Sequence, residues 1–169
     1  MATDNSRVKE CVCLGVSDTA FAPYSGTTRA MLVTVLWHMD GSPVTDDASR
    51  FDDVADGQWY TDAVRWASAN GIVLGYEDGR FGPDDSITRE QLAAILARYA
   101  KLACIPLSND AMLFGDDAAL ADWARADVSR LCASGILHAD HDDAFAPQSD
   151  ALRHQIASAL HALCRLLEG

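Results

Sequence analysis

A fifteen-residue segment occurs three times in this chain of 169 residues, and it constrains the fold more than any other feature. The copies begin at Gly15, Gly75 and Ala139, and their sequences are GVSDTAFAPYSGTTR, GYEDGRFGPDDSITR and ADHDDAFAPQSDALR. In every copy a Phe is followed by Pro two residues later and by Arg eight residues later, and Asp stands three residues before it. Tandem copies of one short unit predict supersecondary units that stack and share a core.

The length of the unit follows from its Phe residues, which lie 60 and 64 residues apart. A second block, FDDVADGQWYTDAVRWASANGI over 51–72 and FGDDAALADWARADVSRLCASGI over 114–136, precedes two of the three copies. The first copy lacks this block, since only ten residues precede the position that matches Gly71. We predict one compact unit of three repeats, over residues 1–44 (partial), 45–107 (complete) and 108–169 (divergent).

Each repeat predicts a helix, a loop and a second helix. Thr88 and Gln91 form the pattern of a capping box at the start of an apolar helical face, and Thr28 begins a similar helix that extends to about Met39. The third repeat has Leu152 in the capping position, so Asp150 is expected to cap its helix instead. The upstream helix of the second repeat has an apolar stripe of Trp59, Ala63, Val64 and Ala67. The predicted fold class is all-α, with the three repeats in a pseudo-threefold arrangement around a central helical bundle.

The charge of the chain excludes several partners. Asp and Glu number 25 against 13 Lys and Arg, a formal net charge of -12, which repels nucleic-acid phosphates and anionic lipid surfaces. No apolar run reaches the roughly 18 residues of a membrane span, so membrane insertion is not expected. Residues 1–10 are polar and lack the apolar core of a signal peptide. We therefore expect either a cytoplasmic protein or a piece of a longer exported one.

Catalytic and metal-binding patterns are missing from the sequence. It contains no G-x-S-x-G elbow, H-E-x-x-H or phosphate-binding loop, and its acidic loops do not follow the calcium-loop pattern. The five Cys residues have neither CxxC nor zinc-finger spacing. Cys132 and Cys164 lie in apolar helical patterns and are predicted to be buried, whereas Cys11 and Cys13 stay open between burial and metal or redox chemistry. We expect neither an enzyme nor a cofactor.

The middle repeat resembles the S-layer homology motif of bacterial surface proteins. The resemblance rests on the following residues: Phe51-Asp52-Asp53-Val54, Trp59, Gly71-Ile72, Gly75-Tyr76, Asp78-Gly79, Phe81, Pro83 and Ile87-Thr88-Arg89-Glu90. It implies a non-catalytic, extracellular module that attaches an exported protein to the cell wall or S-layer. The implied ligand is a secondary cell-wall polysaccharide linked to peptidoglycan, often with pyruvate-ketal sugars, bound in grooves between adjacent repeats.

The resemblance also implies which residues bind the glycan. The family's T-R-A-E tetrad places an Arg in each groove, and it maps onto Arg29, Arg89 and Arg153. An Arg fork can bind a carboxylate bidentately, and a helix start adds N–H donors and the positive end of the helix dipole. The alternative is a structural Arg that binds the carbonyls of its own loop.

Each groove is expected to add an Asp that accepts from hydroxyls and a Trp that stacks on a sugar ring. The first pairs Arg29 with Asp53 and Trp59, the second pairs Arg89 with Asp116 and Trp123, and Gly75 completes the predicted site residues. Two alternatives stay open, a helix-capping role for each Asp and a core position for each Trp. Because Arg153 has no upstream block to face, at most two grooves are expected to be competent.

Two other functions are compatible with the sequence. One is a structural or protein-interaction module of the same fold with a decayed glycan site, because no copy keeps the Ala and Glu of the tetrad in order. Self-association is then expected through the apolar face that the missing helix leaves open. The other is an accessory domain of a hydrolase that acts on the cell wall.

Overall fold

The computed structural model describes residues 22–47 and 49–168, apart from the side chains of His141 and Glu168. In this part of the chain there are five α-helices and no β-strand: α1 (Arg29–Met39), α2 (Thr61–Ala69), α3 (Arg89–Leu102), α4 (Asp122–Ala133) and α5 (Arg153–Glu168). Two short 3₁₀ turns accompany them, Asp117–Ala119 and His141–Asp143. The predicted all-α class is confirmed, whereas the threefold arrangement stays a prediction. None of these helices is both long and apolar enough to cross a membrane.

The described chain divides into two compact units that cut across the predicted repeats. One unit comprises residues 27–86, and the other comprises residues 22–26 together with 87–168. Each unit therefore contains the Arg-headed helix of one repeat and the Phe-containing loop of the next. The repeat boundaries at 44 and 107 stay a prediction.

In the first unit, α1 packs against α2. Thr28 Oγ1 accepts from the Met31 N–H at 3.3 Å and caps α1 as predicted. The helix α2 begins at Thr61, because the Thr61 hydroxyl donates to the Ala55 carbonyl at 2.7 Å and accepts from the Gln58 N–H at 3.0 Å. The predicted apolar stripe is therefore wrong at Trp59, which lies ahead of the helix.

In the second unit, α3 packs against α4, and the predicted capping box at Thr88 and Gln91 is present. The apolar face of α3 is buried as its periodicity predicts. At the start of α5, Gln155 Oε1 accepts from the Leu152 N–H at 3.0 Å, which is one half of a capping box. A cap by the Asp150 side chain stays a prediction.

The Phe of the repeated segment is the centre of each local core. Phe81 and Phe145 are both fully buried, and each ring contacts a second Phe, Phe51 and Phe114 respectively. The corresponding Phe21 lies outside the described residues. Cys132 and Cys164 are buried, as predicted, while Cys11 and Cys13 also lie outside the described part of the chain.

Candidate functional site

Arg29 and Arg89 begin α1 and α3 and are built into the protein in the same way. Each side chain is only 5 % exposed. Arg29 Nε donates to the Phe81 carbonyl oxygen at 2.7 Å, and Arg89 Nε donates to the Phe145 carbonyl oxygen at 2.6 Å. Each guanidinium also lies over the ring of the same Phe, at 5.1 and 4.6 Å from its centroid. Both Arg side chains therefore bind the loop of the next repeat, whereas the structural alternative placed them on the loop of their own repeat. Direct binding of a ligand carboxylate stays a prediction.

The backbone N–H groups at these helix starts bind loop carbonyls. The Arg29 N–H donates to the Asp85 carbonyl at 3.0 Å, and the Arg89 N–H donates to the Ser149 carbonyl at 2.9 Å. The N–H groups of the next residues donate in the same way to the carbonyls of Pro83 and Pro147, both at 3.1 Å. These donors were expected to serve an anionic ligand, but they hold the loop in place instead.

Arg153 begins α5 and repeats this backbone pattern. Its N–H donates to the Ser25 carbonyl at 3.0 Å, and the His154 N–H donates to the Pro23 carbonyl at 3.1 Å. The Arg153 side chain is half-buried. The carbonyl that corresponds to those of Phe81 and Phe145 belongs to Phe21, outside the described residues. The described residues therefore do not test the prediction that Arg153 lacks a competent groove.

Asp53 and Asp116 bind the Phe-containing loops through both carboxylate oxygens. Asp53 accepts from the N–H groups of Phe81 and Gly82 at 2.8 and 2.7 Å. Asp116 accepts from the N–H groups of Phe145 and Ala146, both at 2.7 Å. Neither Asp caps the long helix that follows it, so the capping alternative is wrong for α2 and α4. Each loop is held between an Arg on its carbonyl side and an Asp on its N–H side.

Trp59 and Trp123 are the exposed members of the two sites. They are 58 % and 56 % exposed, so the alternative that placed them in the core is wrong. The Trp59 ring lies edge-on to Tyr60, with centroids 5.2 Å apart. Burial raises the pKa of Tyr60, and the negative charges of Asp84 and Asp53 raise it further. The membership of Trp59 and Trp123 in the two sites stays a prediction.

Glu90, which follows Arg89 in the sequence, has a role that the sequence did not reveal. Glu90 is 4 % exposed, and its Oε2 accepts from the N–H of Ala121, the residue that precedes α4, at 3.2 Å. Its Oε1 accepts from Gln148 Nε2 at 2.7 Å. No sequence signal identified this arrangement, because both partners lie in the next repeat, 31 and 58 residues away.

Gly75 is a structural requirement of the first site. Its φ of +78° is in the left-handed region. A Cβ at this position would overlap the Phe51 ring and lie 2.8 Å from the Arg80 carbonyl oxygen. The absence of a side chain at Gly75 lets the turn pack directly on the local core.

The two sites differ at the residue that follows the Gly75 position. The Tyr76 ring lies against Arg29, with 4.6 Å between the guanidinium carbon and the ring centroid. Asp140 has the same place in the next repeat, where Arg89 Nη2 donates to the His138 carbonyl at 2.7 Å. Burial lowers the pKa of Arg89, and the charges of Asp140, Cys132 and Asp116 oppose that shift.

The comparison with known families finds one match in this region. Residues 50–93 match the S-layer homology domain. The matched segment contains Asp53, Trp59, Gly75, Tyr76 and Arg89, and so it covers residues of both candidate sites. It covers the middle repeat from residue 50 to the first turn of α3. The presence of three tandem S-layer homology motifs stays a prediction.

The relatives that align with most of the chain include an enzyme and surface proteins. The chain is 34 % identical over 152 residues to an amylopullulanase of Thermoanaerobacterium thermosulfurigenes, an alignment that covers 88 % of the chain and 8 % of the relative. It is 29 % identical over 141 residues to an S-layer protein of Bacillus licheniformis (83 % and 15 %). It is 27 % identical over 146 residues to a cellulosome-anchoring protein of Acetivibrio thermocellus (83 % and 32 %). The chain thus spans a third or less of each of these relatives.

Proposed function

We propose that this chain is a non-catalytic anchoring module that binds a cell-wall glycan and holds a longer exported protein at the bacterial surface. The S-layer homology match supports this function, as do relatives named as an S-layer protein and a cellulosome-anchoring protein. The glycan proposed is a secondary cell-wall polysaccharide linked to peptidoglycan and carrying pyruvate-ketal sugars. The amylopullulanase relative suggests that such a module can also be part of a longer enzyme.

The observation that carries the proposal is the exposure of Trp59 and Trp123 at equivalent positions of two repeats. A Trp side chain is a large apolar group that folding normally buries in great part. An indole that stays in water at two corresponding places provides a flat surface for the apolar face of a sugar ring. The polar end of the same ring can then bind the hydroxyls of that sugar.

Arg29 and Arg89 act in this proposal chiefly by positioning. Each is buried and holds the loop whose other side is bound by Asp53 or Asp116. Binding of a ligand carboxylate by the Arg fork, which the sequence predicts, can add to this role. A rigid loop still matters for affinity, because a site that is already ordered loses less conformational entropy when the glycan binds.

The salt dependence of binding should be opposite to that of a nucleic-acid-binding protein. The chain carries a net charge of -12, and a pyruvylated glycan is also acidic. Added salt screens their mutual repulsion over the Debye length of about 8–10 Å near physiological ionic strength. We therefore expect binding to strengthen between low and moderate salt, whereas binding through charge attraction would weaken.

A cell-wall sedimentation assay with Trp variants tests the function. The wild-type chain is incubated with purified cell walls and with the same walls after removal of their secondary polymer. The variants are Trp59→Ala with Trp123→Ala together, and Leu113→Ala as a control, because Leu113 is also an exposed apolar side chain, at 84 %. Unfolding curves check that each variant is folded, which is expected for surface substitutions.

We expect wild type and Leu113→Ala to bind intact walls and not the stripped walls, and the double Trp variant to lose most binding. Equal binding to intact and stripped walls, or full binding by a folded double Trp variant, would contradict the anchoring function. A wild-type chain that does not bind walls and elutes as a dimer would support the protein-interaction alternative.

A further inference from the structure

We infer that the two sites are unequal, and that Tyr76 makes the site of Trp59 the stronger glycan site of the pair. This inference rests on the proposed function and assigns a specificity-determining residue within it. The ligand concerned is a wall sugar that presents an apolar ring face. The site of Trp123 lacks a second aromatic side chain at the equivalent position, since Asp140 stands there.

Tyr76 lies against the braced loop of the repeat that also contains Trp59. The Tyr76 ring lies over the guanidinium of Arg29 and next to the backbone of Gly82. The Gly82 N–H donates to Asp53, so Tyr76 borders the loop that Asp53 holds. Trp59 follows Asp53 by six residues and is exposed, with its ring edge-on to Tyr60. Because Tyr76 is only half-buried, part of this residue remains accessible to a ligand.

The backbone of the loop is adapted to the Tyr ring in the first site only. A Cβ at Gly82 would overlap the Asp85 carboxylate and would lie 2.7 Å from Tyr76 Cε2, both closer than Cβ atoms approach other atoms in proteins. The equivalent residue in the next repeat is Ala146, which has the same left-handed backbone with φ of +54° and does carry a Cβ. The second site therefore has a methyl group at the position that must be empty for the ring. Tyr at 76 with Gly at 82, and Asp at 140 with Ala at 146, are sterically matched pairs.

Charge does not distinguish the two sites, and so the aromatic surface decides between them. Asp140 adds a carboxylate near Arg89 in the second site. The first site has Asp84 and Asp85 where the second has Gln148 and Ser149. Over the whole repeated segment the acidic residues are equal in number, four in residues 75–89 and four in residues 139–153. One additional aromatic contact corresponds to roughly 2- to 10-fold in affinity.

The test measures binding of the released wall polysaccharide to the full chain by titration. Single-site variants are Trp59→Ala, Trp123→Ala and Tyr76→Ala, with Tyr76→Phe as the variant that keeps the ring. We expect Trp59→Ala and Tyr76→Ala to weaken binding several-fold more than Trp123→Ala does, and Tyr76→Phe to bind nearly as wild type. If Trp123→Ala weakens binding as much as Trp59→Ala does, or Tyr76→Ala binds as wild type, the inference is wrong.

A transplant of the matched pair tests the same inference in the other direction. In a Trp59→Ala background, so that the second site dominates, Asp140→Tyr together with Ala146→Gly should raise affinity roughly 2- to 10-fold over Ala146→Gly alone. No gain in a folded double substitution would overturn the inference. A wild-type chain that binds no polysaccharide would overturn the proposed function as well. A wild-type chain that binds, combined with no gain from the transplant, would overturn only the inference that the two sites are unequal.

Discussion

The Arg89 guanidinium donates from Nε to the Phe145 carbonyl oxygen at 2.6 Å, and its carbon lies 4.6 Å from the centroid of the same residue's ring. One side chain at a helix start thus holds both the backbone and the ring of a fully buried Phe in the next repeat. Arg29 has the same relationship with Phe81. Within one copy the Arg follows its Phe by eight residues, but in the fold each Arg pairs with the Phe of the next copy.

Replacing Arg89 should destabilise the chain severely. Arg89→Ala removes charge-assisted hydrogen bonds to the carbonyls of Phe145 and His138 and leaves buried acceptors without their donor. We expect the free energy of unfolding, measured by urea titration, to fall by about 2–4 kcal/mol. Arg80→Ala is the control, because Arg80 forms an ion pair with Asp78 at 2.8 Å in which both side chains are 54 % exposed, so its loss should lower the free energy of unfolding far less. Equal losses in the two variants would contradict the bracing role.

Removing the carboxylate on the other side of the loop should also cost stability. Asp53→Ala leaves the N–H groups of Phe81 and Gly82 without acceptors, and we expect a loss of about 2–3 kcal/mol. Asp53→Asn should lose less, because its one remaining oxygen still accepts from one N–H. The exposed neighbour Asp52 provides the matched control through Asp52→Ala, which should change the free energy of unfolding by no more than about 0.5 kcal/mol. The prediction is wrong if the Asp52 and Asp53 variants unfold at the same urea concentration.

Local features of the fold were predictable from the sequence, and features that depend on partners in another repeat were not. The capping box at Thr88 and Gln91 is decided within one turn, so its residue types suffice. The exposure of Trp59 was not predictable in the same way, because its helical spacing relative to Ala63 suggested a buried stripe. The helix begins later than that spacing indicates, since the Thr61 hydroxyl binds Ala55 and Gln58 ahead of it.

The contacts of the candidate site residues could not be predicted from the sequence. Asp53 and Asp116 stand 28 and 29 residues before Phe81 and Phe145, and the sequence indicated them only as acceptors for glycan hydroxyls. Their partners are backbone N–H groups, which carry no side-chain signature in a sequence. Glu90 was missed for the same reason, since the Ala121 N–H that it binds can be found only when the chain is folded.

Substitution of Gly75 should be far more damaging than substitution of a nearby glycine. Gly75→Ala adds a Cβ that overlaps the Phe51 ring and approaches the Arg80 carbonyl, in addition to the strain of a positive φ. Gly79 also has a positive φ, of +86°, but a Cβ there meets nothing within 4 Å. We expect Gly79→Ala to lower the free energy of unfolding by about 1 kcal/mol, and Gly75→Ala to lower it by about 3 kcal/mol or more because overpacking adds to that strain. Similar midpoints of thermal unfolding for the two variants would refute the steric argument.

The thiols of Cys104 and Cys132 should differ in reactivity. Burial raises the pKa of Cys132 to about 11, partly offset by the charge of Arg89, whereas the Cys104 side chain is exposed. Because the thiolate is the reactive form, Cys132 at pH 8 should be alkylated on the order of a thousandfold more slowly than a thiol that is fully ionised. Iodoacetamide followed by peptide mass spectrometry should label Cys104 and spare Cys132 in the folded chain, and should label both in urea. Equal labelling of the two in the folded chain would show that Cys132 is not enclosed.

The same buried thiol makes stability depend on alkaline pH. Its pKa rises from 9.0, the ordinary value, to about 11 in the folded chain, so the unfolded chain releases this proton first as pH increases. The contribution of the buried thiol to the free energy of unfolding is fully present below about pH 9 and is lost as pH rises through about 11. The total loss is about 2–3 kcal/mol. The raised pKa of Tyr60 acts in the same direction, so the effects of the two residues are separated by substitution.

Urea titrations at pH 8, 9 and 10 measure this loss. The free energy of unfolding should decline less steeply with pH for Cys132→Ala than for wild type, while Cys104→Ala should decline as wild type does. Parallel declines for all three chains would exclude Cys132 as a source of the alkaline loss.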